Sequence, residues 1–139
     1  MDEPRHLFVY GTLMSRFRHP DAMLLRARAR LVGPASVSGA LYSLGAYPGL
    51  VLAEDVGSPA SRSLVHGELY ALPSIAGLLA RLDRYEGCHP DDPEPWPFGR
   101  MIAPTTLSTG RRYNAWVYAY RGPTAGRVRL ASGRFLPRS

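Results

Sequence analysis

One stretch of this 139-residue chain carries a strong helical period, and it limits the architecture more than any other feature. Ile75, Leu78, Leu79, Leu82 and Tyr85 recur at three- and four-residue steps, with Pro73 near the start and Gly87 at the stop. Around it lie strand signals. Residues 6–10 are a near-continuous apolar run, and "SVSGALYSL" at 36–44 alternates. "GAYPGL" at 45–50 supplies a turn before the short apolar run 50–53. "VHGELYAL" at 65–72 alternates again, and 99–108 and 112–120 pair as a hairpin through 108–111. A shorter helix is predicted from His19-Pro20-Asp21, carrying Met23, Leu24, Ala27 and Leu31, with its end left open because Leu31-Val32-Gly33 can equally begin a strand. Residues 56–63 and the proline-rich 89–97 read as loops. Strands outnumber helices and no internal repeat appears. The expected class is α+β: a compact mixed fold around a small curved sheet, antiparallel or mixed, with about two flanking helices.

The length suits a single domain over 1–139, able to bury a core without staples. No apolar run approaches the roughly 18–20 residues of a membrane-spanning helix, so no membrane partner is expected. Met1-Asp2-Glu3-Pro4 lacks the basic and apolar regions of a signal peptide. Cys88 is alone and forms no internal disulfide. A cytoplasmic location is the expectation.

All 17 basic residues are Arg. The absence of Lys excludes a Schiff-base lysine, a pyridoxal-phosphate anchor and a P-loop. Residues 1–94 hold nine Arg and 11 acids, whereas 95–139 hold eight Arg and no acid. The stretch from about 121 is therefore read as a basic C-terminal tail. Its arginines are spaced rather than massed, so nucleic acid is not the expected partner.

Candidate chemistry is sparse. His6, His19, His66 and His89 show no paired ligand spacing, so neither a metal site nor a cofactor is expected. Neither G-x-S-x-G nor G-x-G-x-x-G occurs. Cys88 beside His89 reads as a bystander thiol. Carboxylates remain: Asp83 and Glu86 in "LDRYEG", Glu68 on a strand, and the solvated Asp91, Asp92 and Glu94. Glu86 falls at a helix C-terminus, where the dipole disfavours an anion. That field, with burial beside Tyr85, raises its carboxyl toward the range useful for proton transfer.

The series "FVYGTL" at 8–13, "GALYSLGAYPGL" at 39–50, "VHGELYAL" at 65–72, "LDRYEG" at 82–87, "FGR" at 98–100 and "AWVYAY" at 115–120 resembles the gamma-glutamyl cyclotransferase-like family. The resemblance covers about residues 6–120. It implies a fold built around a small β-barrel and a pocket between the Tyr-Gly-Thr-Leu loop and the glutamate after the long helix. Carried over by motif, Glu86 is the catalytic acid/base. Tyr10, Gly11, Thr12 and Leu13 form the substrate loop, and Tyr120 is the pocket tyrosine. The implied reaction converts a small-molecule gamma-glutamyl substrate to 5-oxoproline and a free amine. Two departures stand out: Ser132-Gly133-Arg134-Phe135 replaces an acidic segment of many relatives, and the loop at 89–97 carries four prolines. A non-catalytic small-molecule binder of the same fold and a basic nucleic-acid or protein-interaction module are the alternatives.

Overall fold

The computed structural model describes residues 4–15, 17–53, 63–73 and 76–135. The loop expected at 56–63 lies outside the described residues apart from Ser63, as does Ile75. The elements in order are β1 (His6–Val9), α1 (Pro20–Arg28), β2 (Arg30–Ser43), β3 (Pro48–Leu52) and β4 (Leu64–Ala71). They continue with α2 (Ala76–Glu86), β5 (Phe98–Leu107), β6 (Arg112–Tyr120) and β7 (Val128–Arg129).

The strands form one sheet in the order β1-β4-β2-β3-β6-β5, and β1 also pairs β6. That last pairing closes β1, β4, β2, β3 and β6 into a five-stranded barrel, with β5 and β7 as extra strands. Most ladders are antiparallel, but β1 and β3 each run parallel to β6. The expected α+β class with a small barrel and flanking helices is what the chain adopts.

Alternation along β1 explains its unbroken apolar run. Phe8 enters the barrel cluster with Val37, Leu41, Leu50, Val65, Leu69 and Val117. Leu7 and Val9 face outward, into a second cluster with Leu25 of α1 and Leu78, Leu79 and Leu82 of α2. A strand covered on both faces needs no polar positions. Each such side chain contributes about 1.5–3 kcal/mol on full burial.

Three boundaries are set by local features of the chain. Helix α1 starts as predicted, with the His19 imidazole accepting from the Asp21 N–H at 3.2 Å. It ends at Arg28, and of the two readings open for Leu31 the strand is the one adopted, opposite Tyr70. β2 starts at Arg30, six residues before the expected strand, because a register shift between Leu31 and Gly33 accommodates Pro34 within the ladder. The presumed tail packs back on the barrel. β7 pairs Arg129 with Tyr42, the His66 N–H donates to the Gly133 carbonyl at 2.8 Å, and Phe135 stacks on Phe17 at 5.8 Å.

Candidate active site

The cavity begins where β1 leaves the sheet. Phe8 pairs with Val117, but two positions on Ala119 pairs with Leu50 of β3. At this handover the Tyr10 side chain, 6% exposed, turns inward. Its hydroxyl donates to the Tyr118 carbonyl at 2.5 Å and accepts from the Leu50 N–H at 3.1 Å. Burial, with the Glu86 charge adding to it, holds this phenol far above its usual range, so it stays neutral. Tyr10→Phe is expected to remove both side-chain hydrogen bonds to the backbone and to cost about 1–3 kcal/mol, read by urea denaturation.

Beyond Tyr10 the chain turns sharply, the Met14 N–H donating to the Gly11 carbonyl at 3.0 Å. Glu68 anchors the far end. Its two carboxylate oxygens accept from the Ser15 N–H and the Ser15 hydroxyl, both at 2.6 Å. Glu68 is therefore tied to the loop's backbone and does not line the cavity. Among the described residues, the N–H groups of Gly11, Thr12 and Leu13 have no partner. Three successive free donors can receive an anion or an oxyanion.

Glu86 comes from the end of α2. Gly87, at φ 79°, ends the helix: its N–H donates to the Arg84 carbonyl at 3.2 Å, and the Cys88 N–H to the Asp83 carbonyl at 2.9 Å. This paired C-terminal motif needs a left-handed residue, which Gly supplies. It leaves Glu86 as the last helical residue, in the same cavity of about 370 Å³ as Tyr10, Gly11, Thr12 and Leu13. A hydrogen bond of 2.5 Å between Thr12 Oγ1 and the Tyr85 hydroxyl links loop and helix. The Glu86 carboxyl is pushed up to about 8, first by burial and then by the Asp21 and Asp83 carboxylates. Among the described residues it has no hydrogen-bond partner. Such a group gives and takes a proton near neutral pH.

Behind it lies a polar cluster. Asp83 accepts from the Tyr118 hydroxyl at 2.7 Å and from Arg100 Nε at 3.0 Å and Nη2 at 3.4 Å. Arg100 in turn lies 4.3 Å over the Trp116 ring. Neither Asp83 nor Arg100 lines the cavity; Tyr118 does.

Tyr120 is placed differently from expectation. It lies on the same face of β6 as Tyr118 but one pleat further on, roughly 6.8 Å. Its hydroxyl donates to the Pro123 carbonyl at 3.0 Å, and its ring packs edge-on against Phe98 at 5.7 Å. It supports the wall without forming it. Tyr47, Pro48, Tyr85, Pro97 and Phe98 do form it. Of these, Tyr47 and Pro48 fall in "GAYPGL", Tyr85 in "LDRYEG" and Phe98 in "FGR", yet nothing in the sequence assigned their side chains to the cavity. From the loop at 89–97, Pro97 alone lines it. Cys88 is buried, and burial pushes its thiol up to about 12, far from a nucleophilic thiolate. Among the described residues, no group of three or more His, Cys, Asp and Glu converges as metal ligands, and no helix is long and apolar enough to cross a membrane.

Comparison with known proteins gives a consistent picture. The "Gamma-glutamyl cyclotransferase, AIG2-like" family matches residues 7–137. The gamma-glutamylcyclotransferase family protein YtfP of Citrobacter rodentium is 31% identical over 135 residues, covering 95% of this chain and 96% of its own. YtfP of Escherichia coli K12 gives the same figures. The solution NMR structure of Escherichia coli YtfP covers 94% of this chain and 96% of its own, with a TM-score of 0.60 at 29% identity. An AIG2-like protein from Mus musculus, at 22% identity, shares the fold with a TM-score of 0.63 over 99% of this chain and 98% of its own. With a family match over nearly its whole length and YtfP relatives aligned end to end, the chain belongs to the gamma-glutamyl cyclotransferase, AIG2-like family.

Proposed function

We propose that this protein is a cyclotransferase that converts a gamma-glutamyl compound into 5-oxoproline and a free amine, with Glu86 as general acid/base. The observation that carries this reading is an unpartnered carboxyl, raised to about 8, in one cavity with three free backbone N–H groups. The substrate holds both reactants. Glu86 removes a proton from its alpha-ammonium group, and the nitrogen attacks the gamma-carbonyl carbon. The carbonyl oxygen takes the negative charge, received by the N–H groups after Tyr10. As the carbonyl re-forms, the bond to the original amide nitrogen breaks, Glu86 returns its proton to the departing amine, and the attacking nitrogen releases its second proton to solvent, leaving one on the lactam nitrogen. One molecule supplies nucleophile and electrophile, so the protein's task is to fold the substrate, move one proton and hold the oxyanion.

A panel of gamma-glutamyl peptides and amides, assayed for 5-oxoproline, tests the reading; a folded protein that cyclises none of them refutes it. The base form of Glu86 is the working form. kcat/KM is therefore expected to rise about tenfold per pH unit below pH 8 and to bend near 8. A profile already flat at pH 6 would assign the proton transfer elsewhere.

A further inference from the structure

We propose that a second cleft, on the outer face of the barrel, binds a small α-amino acid with an apolar side chain, its carboxylate on Arg134 and its ammonium group on Glu68. This cleft is separate from the cavity that holds Glu86, and the proposal stands independently of the cyclisation reading.

The C-terminal segment builds the cleft. Val65 and Leu69 of β4 point into the barrel, so His66 and Glu68 alternate outward, with Pro34 of β2 in register with Glu68. After β7 the chain returns over this face, where the Gly133 carbonyl accepts from the His66 N–H. Gly133, at φ 68°, makes a turn that no other residue fits, because a Cβ there would run into the Leu64 carbonyl oxygen. That turn and the Phe135–Phe17 stack hold residues 133–135 against the barrel. Met14, Pro34, His66, Glu68, Arg134 and Phe135 then line a cavity of about 230 Å³. Sites for drug-sized ligands span roughly 300–1,000 Å³, so the occupant here is smaller.

Two opposite charges face this space without meeting. Among the described residues, the Arg134 guanidinium has no ion pair or hydrogen bond, although Glu68 lines the same cavity. Each Glu68 oxygen accepts one bond from Ser15 and keeps the capacity for another. His66 lies between these choices: burial first, then the Arg134 charge, lowers its imidazole below the ordinary value. It is therefore neutral at pH 7, with one ring N–H to donate to a carboxylate. An anion alone would gain Arg134 but confront Glu68, and a cation alone would meet the reverse. A zwitterion satisfies both, through charge-assisted hydrogen bonds in a place partly shielded from water. An α-amino acid carries its two charges on one carbon, which suits so small a cavity. Its side chain is left to Met14, Pro34 and Phe135, so an apolar one gains most.

Isothermal titration calorimetry of the full chain tests this with three probes. L-leucine carries both charges, N-acetyl-L-leucine lacks the ammonium group, and 3-methylbutylamine lacks the carboxylate. Leucine is expected to bind at least tenfold more tightly than either analogue. Arg134→Met, a change at an exposed position, and Glu68→Gln are each expected to weaken leucine at least tenfold, with thermal denaturation confirming that both variants fold. Glu86→Gln, in the other cavity, is expected to bind leucine as the wild type does. Leucine binding that survives in folded Arg134→Met but is lost in Glu86→Gln would place the amino acid in the main cavity and overturn the proposal. Either analogue binding as tightly as leucine overturns it as well, as does no binding of leucine at millimolar concentration.

Discussion

Glu86→Gln is expected to lower 5-oxoproline formation by at least two orders of magnitude while leaving substrate affinity within a few-fold. The amide keeps the shape of the side chain but cannot take the ammonium proton, and general acid–base catalysis typically contributes about 10²–10⁴-fold. Single-turnover assays separate the chemical step from binding. The same substitution carries a stability signature of opposite sign. In the folded protein the carboxyl titrates near 8, against an ordinary value of 4.5. Between those values the folded state holds a proton that the unfolded chain has released, so wild-type stability falls as pH rises through this window. Above pH 8 the full penalty for a buried anion is in force. Glu86→Gln is expected to be the more stable protein at pH 9, by on the order of 2 kcal/mol, with the gap closing below about pH 4.5. Thermal denaturation at pH 5, 7 and 9 reads this directly. Glu68→Gln is the control: its carboxylate bonds Ser15, so its loss is expected to loosen the loop and not to reproduce the kinetic defect.

Arg100→Met is expected to destabilise the fold by about 3 kcal/mol, a large share of the ~5–15 kcal/mol typical of a small domain. Asp83 is 11% exposed and Arg100 26%, so this pair is shielded from water on one side. Removing the guanidinium leaves the carboxylate with the Tyr118 hydroxyl alone and strips the cation from the Trp116 ring. The double variant Arg100→Met/Asp83→Asn is expected to recover more than half of the loss, since the stranded charge is gone. Urea denaturation of wild type, both single variants and the double completes the cycle. A double variant no better than Arg100→Met alone would mean that packing on Trp116, and not charge, holds this corner.

The sequence was most legible where one residue answered to two constraints at once. β1 and β6 lie within a residue or so of their expected bounds: β1 and the second half of β6 are covered on both faces, and an apolar run at a strand's length admits few alternatives. Glu86 was legible because Gly87 had to end the helix. The Tyr10–Leu13 loop was legible because Gly11 broke an apolar run next to a polar residue. β2 was obscured by Gly33-Pro34, which reads as punctuation yet sits in the ladder through a bulge. β7 has two exposed residues, and its place depends on β2 alone. Tyr120, expected in the pocket, lies one pleat beyond Tyr118, which does line the cavity. Period-two alternation identifies a face of β6, but depth along that face is set by where β1 ends and α2 stops, which only the assembled barrel fixes.

The parallel pairing of β1 with β6 has a kinetic meaning. It joins residues 7 and 8 to residues 116 and 117, so the barrel closes only when the two ends of a long intervening chain meet. Contacts so distant in sequence slow folding, because their loop-closure cost precedes any reward. The Tyr10 hydroxyl finds the Tyr118 carbonyl only at that step. A nascent chain that has not yet released β6 from the ribosome has neither Tyr118 nor a seam from which the loop can turn. On the proposed function, ligand capture waits for this final closure, and a ligand that binds only the closed barrel latches it, adding stability as the logarithm of one plus its concentration over Kd.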